Sequence, residues 1–325
     1  MVTLAGSAKG VVGGRGATGR LRSAKEANDG IGWVKRVEPF ADELKASTHA
    51  VQTYRYLRLA MIMLVIGLGG SVAYEWQQVG RACFQTSISA YYYTPARGFF
   101  VGALMAIGVC LVSLRGNIEL EDVLLNIAGM FAPVVALVPT PNPGTCTSLP
   151  GSTEGRSANV ANNMSALFLV GAVGLIALAV TGMREWKTKS KTPGPSPLIA
   201  FIAALIIWTV ALVIFLAARH FYLDTAHYTA AVAMFMCIIG VVSLNAFAFG
   251  RKPGNRSYAN RYSVVAVLMV ASVVGMGGYR WAFGWDHAVL WIEASLIALF
   301  ATFWLMQTAE LWESGLRFYR PAPKT

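Results

Sequence analysis

His220, Asp224 and His227 follow one another at i, i+4 and i+7, a spacing that puts all three on one face of a helix. His287, preceded by Asp286, opens a later apolar segment whose start is expected on the same membrane face. Neutral imidazole and carboxylate are zinc ligands, and such a set with an open position can activate water for hydrolysis. The candidate metal ligands are therefore His220, Asp224, His227 and His287, with zinc as the candidate cofactor. In that scheme Glu293 and His227 are the catalytic candidates, Glu293 as general base. A different reading is also open, because residues 219–226 must turn the chain between two spans. Histidines at headgroup depth are common amphipathic interface residues.

Glu293 is unusual by position alone. It lies seven residues inside an apolar segment, about 10 Å deep at the helical rise. A carboxylate at that depth is costly and should face the bundle interior with a partner. Arg280, Arg97 and His227 are the candidate partners from the same side. The segment Ser87–Arg97 brings hydroxyls and a guanidinium to the entrance of another apolar segment. Ser89, Tyr92 and Arg97, together with Arg280, are candidate lipid-binding or ligand-binding residues, since a guanidinium suits a lipid phosphate. The alternative is a loop-to-helix entry with interfacial tyrosines. Ser87 and Ser89 lack the G-x-S-x-G context of a nucleophile elbow. The glycine run Gly13–Gly19 has no preceding strand and no closing Gly-Lys-Ser/Thr, so it is not a phosphate loop.

The elements that must position these residues are membrane spans. Apolar residues make up 55% of the 325-residue chain and charged residues 13%, far from the roughly one-quarter charged of a soluble domain. Apolar runs of about 20 residues recur, each long enough to cross a hydrocarbon core. Eight spans are predicted, at 57–75, 97–115, 120–139, 164–183, 197–218, 226–249, 262–279 and 286–308. The fold class is thus an all-α polytopic bundle of about eight transmembrane helices. A basic cytoplasmic tail, disordered and then amphipathic through Phe40, Leu44, His49 and Tyr54, occupies 1–56. The transmembrane domain fills 57–308 and a C-terminal tail 309–325.

Charge sets the orientation. Of the 27 Lys and Arg, all but Arg81, Arg97, Arg156, Arg219 and Arg280 fall in the tails and in alternate loops. That asymmetry predicts cytoplasmic termini and a multi-pass plasma-membrane protein. It also explains the net charge of +11 by attraction to anionic headgroups, so the expected partners are membrane lipids and not nucleic acid. No cleavable signal peptide is expected, because the first apolar run starts near Leu59. Tyr91, Tyr92, Tyr93, Trp76, Trp281, Trp285 and Trp291 are expected as an outer aromatic belt, with Trp186, Trp312 and Tyr319 as its inner counterpart. Glu119, Glu121 and Asp122 are expected as a solvated, dipole-favoured helix start. Pro133 should kink its span and crowd residue 129, which is glycine.

The cysteines divide by expected depth. Cys110 and Cys237 lie inside spans, as small apolar side chains. Cys83 and Cys146 fall in the two longest outer loops, on the oxidising side, where they form a disulfide or stay as two free thiols.

The stretches SISAYYYTPARGFFVGALMAIGVCLVSLRG, EDVLLNIAGMFAPVVALVPT and HYTAAVAMF together resemble an uncharacterised group of bacterial multi-pass proteins. That group is similar to the DUF998 and Frag1/DRAM/Sfk1-like membrane families. The resemblance covers about a quarter of the chain and marks Ser89, Tyr92, Pro95, Arg97, Asn126, Pro139, Thr140 and His227. It implies a role in lipid organisation or membrane homeostasis and no defined enzymology. The chain departs from the pattern by placing two spans between Thr140 and His227, so a shared site requires that pair to pack at the periphery. The leading expectation is a lipid-interacting protein with an outward cavity lined by His227, Glu293, Arg97 and the Ser/Tyr loop. A metal-dependent hydrolase of outer-leaflet lipid and a proton-coupled small-molecule transporter are the rivals.

Overall fold

A computed structural model describes residues 49–79, 83–141, 143, 144, 146, 155–189, 195–250 and 260–312. The glycine run, Phe40, Leu44 and Arg81 lie outside the described residues. The chain forms two units, Met1–Gln52 and Thr53–Thr325, and the second holds the bundle. The described residues contain α-helices, one short 3-10 helix and no strand. The helices are α1 (His49–Gln78), α2 (Arg97–Ser113), α3 (Glu119–Leu137), α4 (Arg156–Lys189), α5 (Pro195–Ala217), α6 (Arg219–Gly250), α7 (Arg261–Phe283) and α8 (Ala288–Glu310). Seven are long and apolar enough to cross a membrane, and α2, at 17 residues, is shorter. The predicted spans correspond one to one with these helices. The helix ends at His49 and Glu310 extend beyond the apolar windows into polar sequence.

Local chemistry sets several ends. Asn260 caps α7, its side-chain oxygen accepting from the amides of Tyr262 and Ser263. Gly284, in the left-handed region at φ 68°, stops the same helix. α3 opens with Glu119, Glu121 and Asp122 in its first turn, where carboxylates suit the helix dipole. It ends at Leu137, with extended Val138 leading into Pro139, because the residue before a proline avoids helical geometry.

In lipid, helix association rests on close packing more than on exclusion of water. α3 provides it, packing on α2 and α6. A Cβ on Gly129 would sit 2.6 Å from Val112 Cγ2 and 2.7 Å from the Gly108 carbonyl oxygen. The α2–α3 approach therefore depends on two glycines facing each other, beside the Pro133 ring. One buried cluster joins Met61, Leu111, Leu125, Val242, Tyr262 and Trp304 across six helices.

The intervening pair does pack peripherally. Only 6% of the apolar window of α4, and of α5, is buried, against 44% for α3. The hairpin is held near one end by Val160, Met164 and Phe215 against Val138, Tyr222 and Leu223. The two helices thus sit at the edge of the bundle and leave α3 packed on α6.

Candidate functional site

The disulfide gathers the site. Cys83 and Cys146 are bonded, with Cα atoms 5.5 Å apart, while Cys110 and Cys237 are free thiols within spans. The bond ties the loop before α2 to the loop after α3. Gly144 supports the junction: at φ +86° it has a backbone only glycine readily adopts, and a Cβ there would strike the Gln85 side chain. This end of the bundle is its disulfide face.

The loop between Cys83 and Arg97 folds inward and is no surface belt. Ser89–Tyr93 form the 3-10 helix, and Ser89, Tyr91, Tyr92 and Tyr93 are all buried. The expectation of interfacial tyrosines at 91–93 is thus corrected, whereas Trp281 is 90% exposed. Burial raises the Tyr92 and Tyr93 hydroxyls above the ordinary phenol range, opposed at Tyr92 by the Arg97 guanidinium and at Tyr93 first by that of Arg156.

Glu293, in the second turn of α8, holds this loop. Its Oε2 accepts from the amides of Ile88 at 2.6 Å and Ser89 at 3.3 Å, and its Oε1 accepts from the Ser89 hydroxyl at 3.2 Å. The expected partners Arg97, Arg280 and His227 are not used. Arg97 instead donates to the Tyr92 hydroxyl at 2.7 Å and stacks over its ring. Arg280 lies exposed at the end of α7, 3.5 Å from the carbonyls of Trp285 and Asp286. Main-chain amides satisfy a carboxylate as well as a cation does, and their position cannot be read from residue type.

Next to Glu293 and Ser89 is an interhelical cavity of about 50 Å³. Leu68 of α1, Phe100 and Leu104 of α2, Met234 of α6 and Phe300 of α8 form part of its apolar wall, and Glu293 is the one ionisable side chain among the described residues that line it. His227 and Arg97 do not line it. Tyr92 stands between Arg97 and the cavity, with its ring against Phe100.

His227 anchors a separate junction. Its Nδ1 lies 2.6 Å from the Val138 carbonyl oxygen; an oxygen can only accept, so Nδ1 carries the proton. Close by, the Tyr93 hydroxyl donates to the Thr140 carbonyl at 2.6 Å, and the hydroxyls of Thr140 and Tyr228 are 3.0 Å apart. A chain of contacts links this junction to the Tyr92–Arg97 pair, since the Tyr93 ring lies against Tyr92 and the Tyr228 ring against His227, whereas Asn126 lies midway along α3.

The four proposed metal ligands do not form a set. His227 is buried, and His220 and Asp224 are exposed on the opening turns of α6. His287 precedes α8, with Nδ1 3.2 Å from the Gln85 carbonyl oxygen and its ring against Phe84. Among the described residues no three His, Cys, Asp or Glu side chains gather as a ligand set. These residues do not fit a zinc centre, and the correction has a simple cause. Helical spacing aligns His220 with His227, but the neighbours that bury the stripe do not reach the first turn.

A second polar cluster, at the opposite end of the bundle, escaped the sequence reading. Glu121 is 2% exposed and accepts from the Asn117 amide at 2.7 Å and from Asn245 Nδ2 at 2.8 Å. Gln307 of α8 donates to Asn245 Oδ1 at 3.2 Å. The expected solvated start of α3 is corrected here: Glu121 is interior, and only Glu119 is exposed. Asn245 and Gln307 were detectable as amides inside apolar runs, which are rare without an interhelical partner.

No family model, curated protein or solved structure matches the chain. Fold and composition define an integral membrane protein of the α-helical class. Within it, the disulfide-tied loop, the Glu293 latch and the apolar cavity are the features on which a function can be argued.

Proposed function

We propose that this chain is a multi-pass plasma-membrane protein, with the disulfide face outside, that holds the apolar part of a lipid between its helices. The cavity carries the reading: an apolar space beside a single carboxylate and a serine suits an amphiphile whose polar end donates a hydrogen bond. A water-sized occupant needs about 10–15 Å³ of such volume, so the cavity takes about four methylene-sized groups, a part of a lipid. Glu293 Oε1 receives the Ser89 hydroxyl and keeps a second lone pair for a ligand hydroxyl or amine. The scarcity of Lys and Arg near the disulfide, together with the disulfide itself, supports the outward placement.

Native mass spectrometry of the chain purified in mild detergent tests this. Wild type should retain a lipid-sized adduct, and Ala231→Trp, which fills the cavity from α6, should lose it. Equal retention by both, or no adduct in wild type, sinks the reading. A proton-coupled carrier is the second reading, favoured because the one carboxylate on the cavity wall is where a coupled proton would bind. It requires that a pH gradient accelerate exchange of the retained ligand in proteoliposomes and that Glu293→Gln abolish the acceleration.

A further inference from the structure

The disulfide face is poor in positive charge, yet it spends that charge where a helix favours it least. α2, α4 and α6 all begin on this face, and their first residues are Arg97, Arg156 and Arg219. None of the three helices has an acidic residue in its first turn. A cation beside a helix N-terminus opposes the positive end of the dipole. At the other end of the bundle α3 opens with three acids, and the arginine that opens α7, Arg261, is paired with Glu310 at 2.7 Å.

Nor do neighbouring carboxylates compensate. Among the described residues the ion pairs are Arg115–Asp122 and Arg261–Glu310, both at the opposite end. Arg97 rests on Tyr92. Arg156 donates to the carbonyls of Leu223 and Pro139, and its Nε is buried with no hydrogen-bond partner. Arg219 donates to the Ser157 carbonyl at 3.0 Å. The exposed Asp224 of α6 is within 4 Å of none of them, as the two ion pairs show. The contacts run continuously: Arg219 touches the start of α4, Arg156 touches Pro139, and Tyr93 bridges Thr140 to the Tyr92–Arg97 pair.

We infer that Arg97, Arg156 and Arg219 form a rim that binds the phosphate groups of membrane phospholipids. Position chooses the occupant, since the rim lies at the starts of apolar helices, two of them, α4 and α6, long enough to cross a membrane, where lipid phosphates are concentrated. A phosphate accepts several N–H donors at once and offsets both the guanidinium charge and the exposed helix amides. The Tyr92 phenol holds the Arg97 guanidinium and backbone carbonyls hold those of Arg156 and Arg219, and each guanidinium carries further N–H donors that these contacts do not use. The inference extends the lipid reading above, adding the chemistry of the polar headgroup, but it rests on different residues.

The test uses the full chain in a phosphate-free alkyl glycoside, titrated separately with phosphatidylglycerol, a diacyl glucoside of the same chains, and inorganic phosphate. Thermal unfolding is the readout. Phosphatidylglycerol should stabilise the chain, and the glucoside and inorganic phosphate should do so much less. Apparent affinity for phosphatidylglycerol should fall about fivefold for each arginine changed to glutamine, the factor one basic residue contributes at an anionic surface. Arg219→Gln is the safest single variant, because Arg219 is exposed. Arg115→Gln, at the opposite end, should leave the titration unchanged. Equal responses in wild type and in the Arg97, Arg156 and Arg219 variants overturn the rim. A glucoside as effective as the phospholipid overturns the phosphate, and full reproduction by inorganic phosphate overturns the lipid source. Ala231→Trp should keep the phosphatidylglycerol response, so failure of the cavity reading is seen separately.

Discussion

Glu293→Ala removes the acceptor shared by two backbone amides and one hydroxyl. The Ser89 hydroxyl can rotate toward another acceptor, but the amides of Ile88 and Ser89 are fixed by the 3-10 helix they begin. Leaving a buried donor unsatisfied costs about 1–3 kcal/mol. Side-chain hydrogen bonds measured inside membrane bundles average only about 0.6 kcal/mol, which points to the low end of that range. The expected loss for Glu293→Ala is therefore about 2–4 kcal/mol. Glu293→Gln keeps a carbonyl oxygen for the amides and should lose only about 1 kcal/mol, the charge-assisted part. Ser89→Ala should cost less than either, and the double variant should show coupling of about 0.5–1 kcal/mol. Reversible unfolding in bicelles, followed by circular dichroism, gives these differences. If Glu293→Ala lies within about 0.5 kcal/mol of wild type, the ordinary surface range, the carboxylate is not a latch. If Glu293→Gln is as damaging as Glu293→Ala, charge and not acceptor geometry holds the loop.

Two further outcomes follow from packing and covalent structure. Alkylation of the denatured, unreduced protein should modify two thiols, Cys110 and Cys237, and reduction should raise this to four, as read by intact mass. Gly129→Ala should destabilise the chain by about 1–3 kcal/mol, the usual cost of overpacking, since its Cβ has no room against Val112 and Gly108. Gly102→Ala, whose Cβ meets nothing within 4 Å, should stay within about 0.5 kcal/mol in the same melts.

The helices were legible because a membrane span must satisfy its backbone internally and face lipid with apolar side chains, and both demands are written in a 20-residue window. The disulfide was legible because only Cys83 and Cys146 lie outside the apolar runs. The site was partly legible. Glu293 stood out as an ionisable group in a span, yet its partners could not be named, because the donors are main-chain amides of residues 88 and 89. His227 likewise pairs with a carbonyl. Glu121 was misread for the opposite reason: an acid in a first turn normally needs only the dipole, and nothing nearby in sequence announces Asn245, 124 residues away. The metal set failed because periodicity gives the angle around a helix and not the depth to which neighbours cover it.

α8 is fastened at two levels. Glu293 grips the loop at one end, and Gln307, fourteen residues later, joins the Asn245–Glu121 cluster at the other. At the helical rise these points are about 21 Å apart. A piston-like slide of α8 by even one turn would break both sets of polar contacts at once, inside a medium that offers no replacements. Axial sliding is thus excluded as a low-energy motion. Any opening of the cavity must come from helices that tilt or swing around α8, with α8 serving as the fixed post.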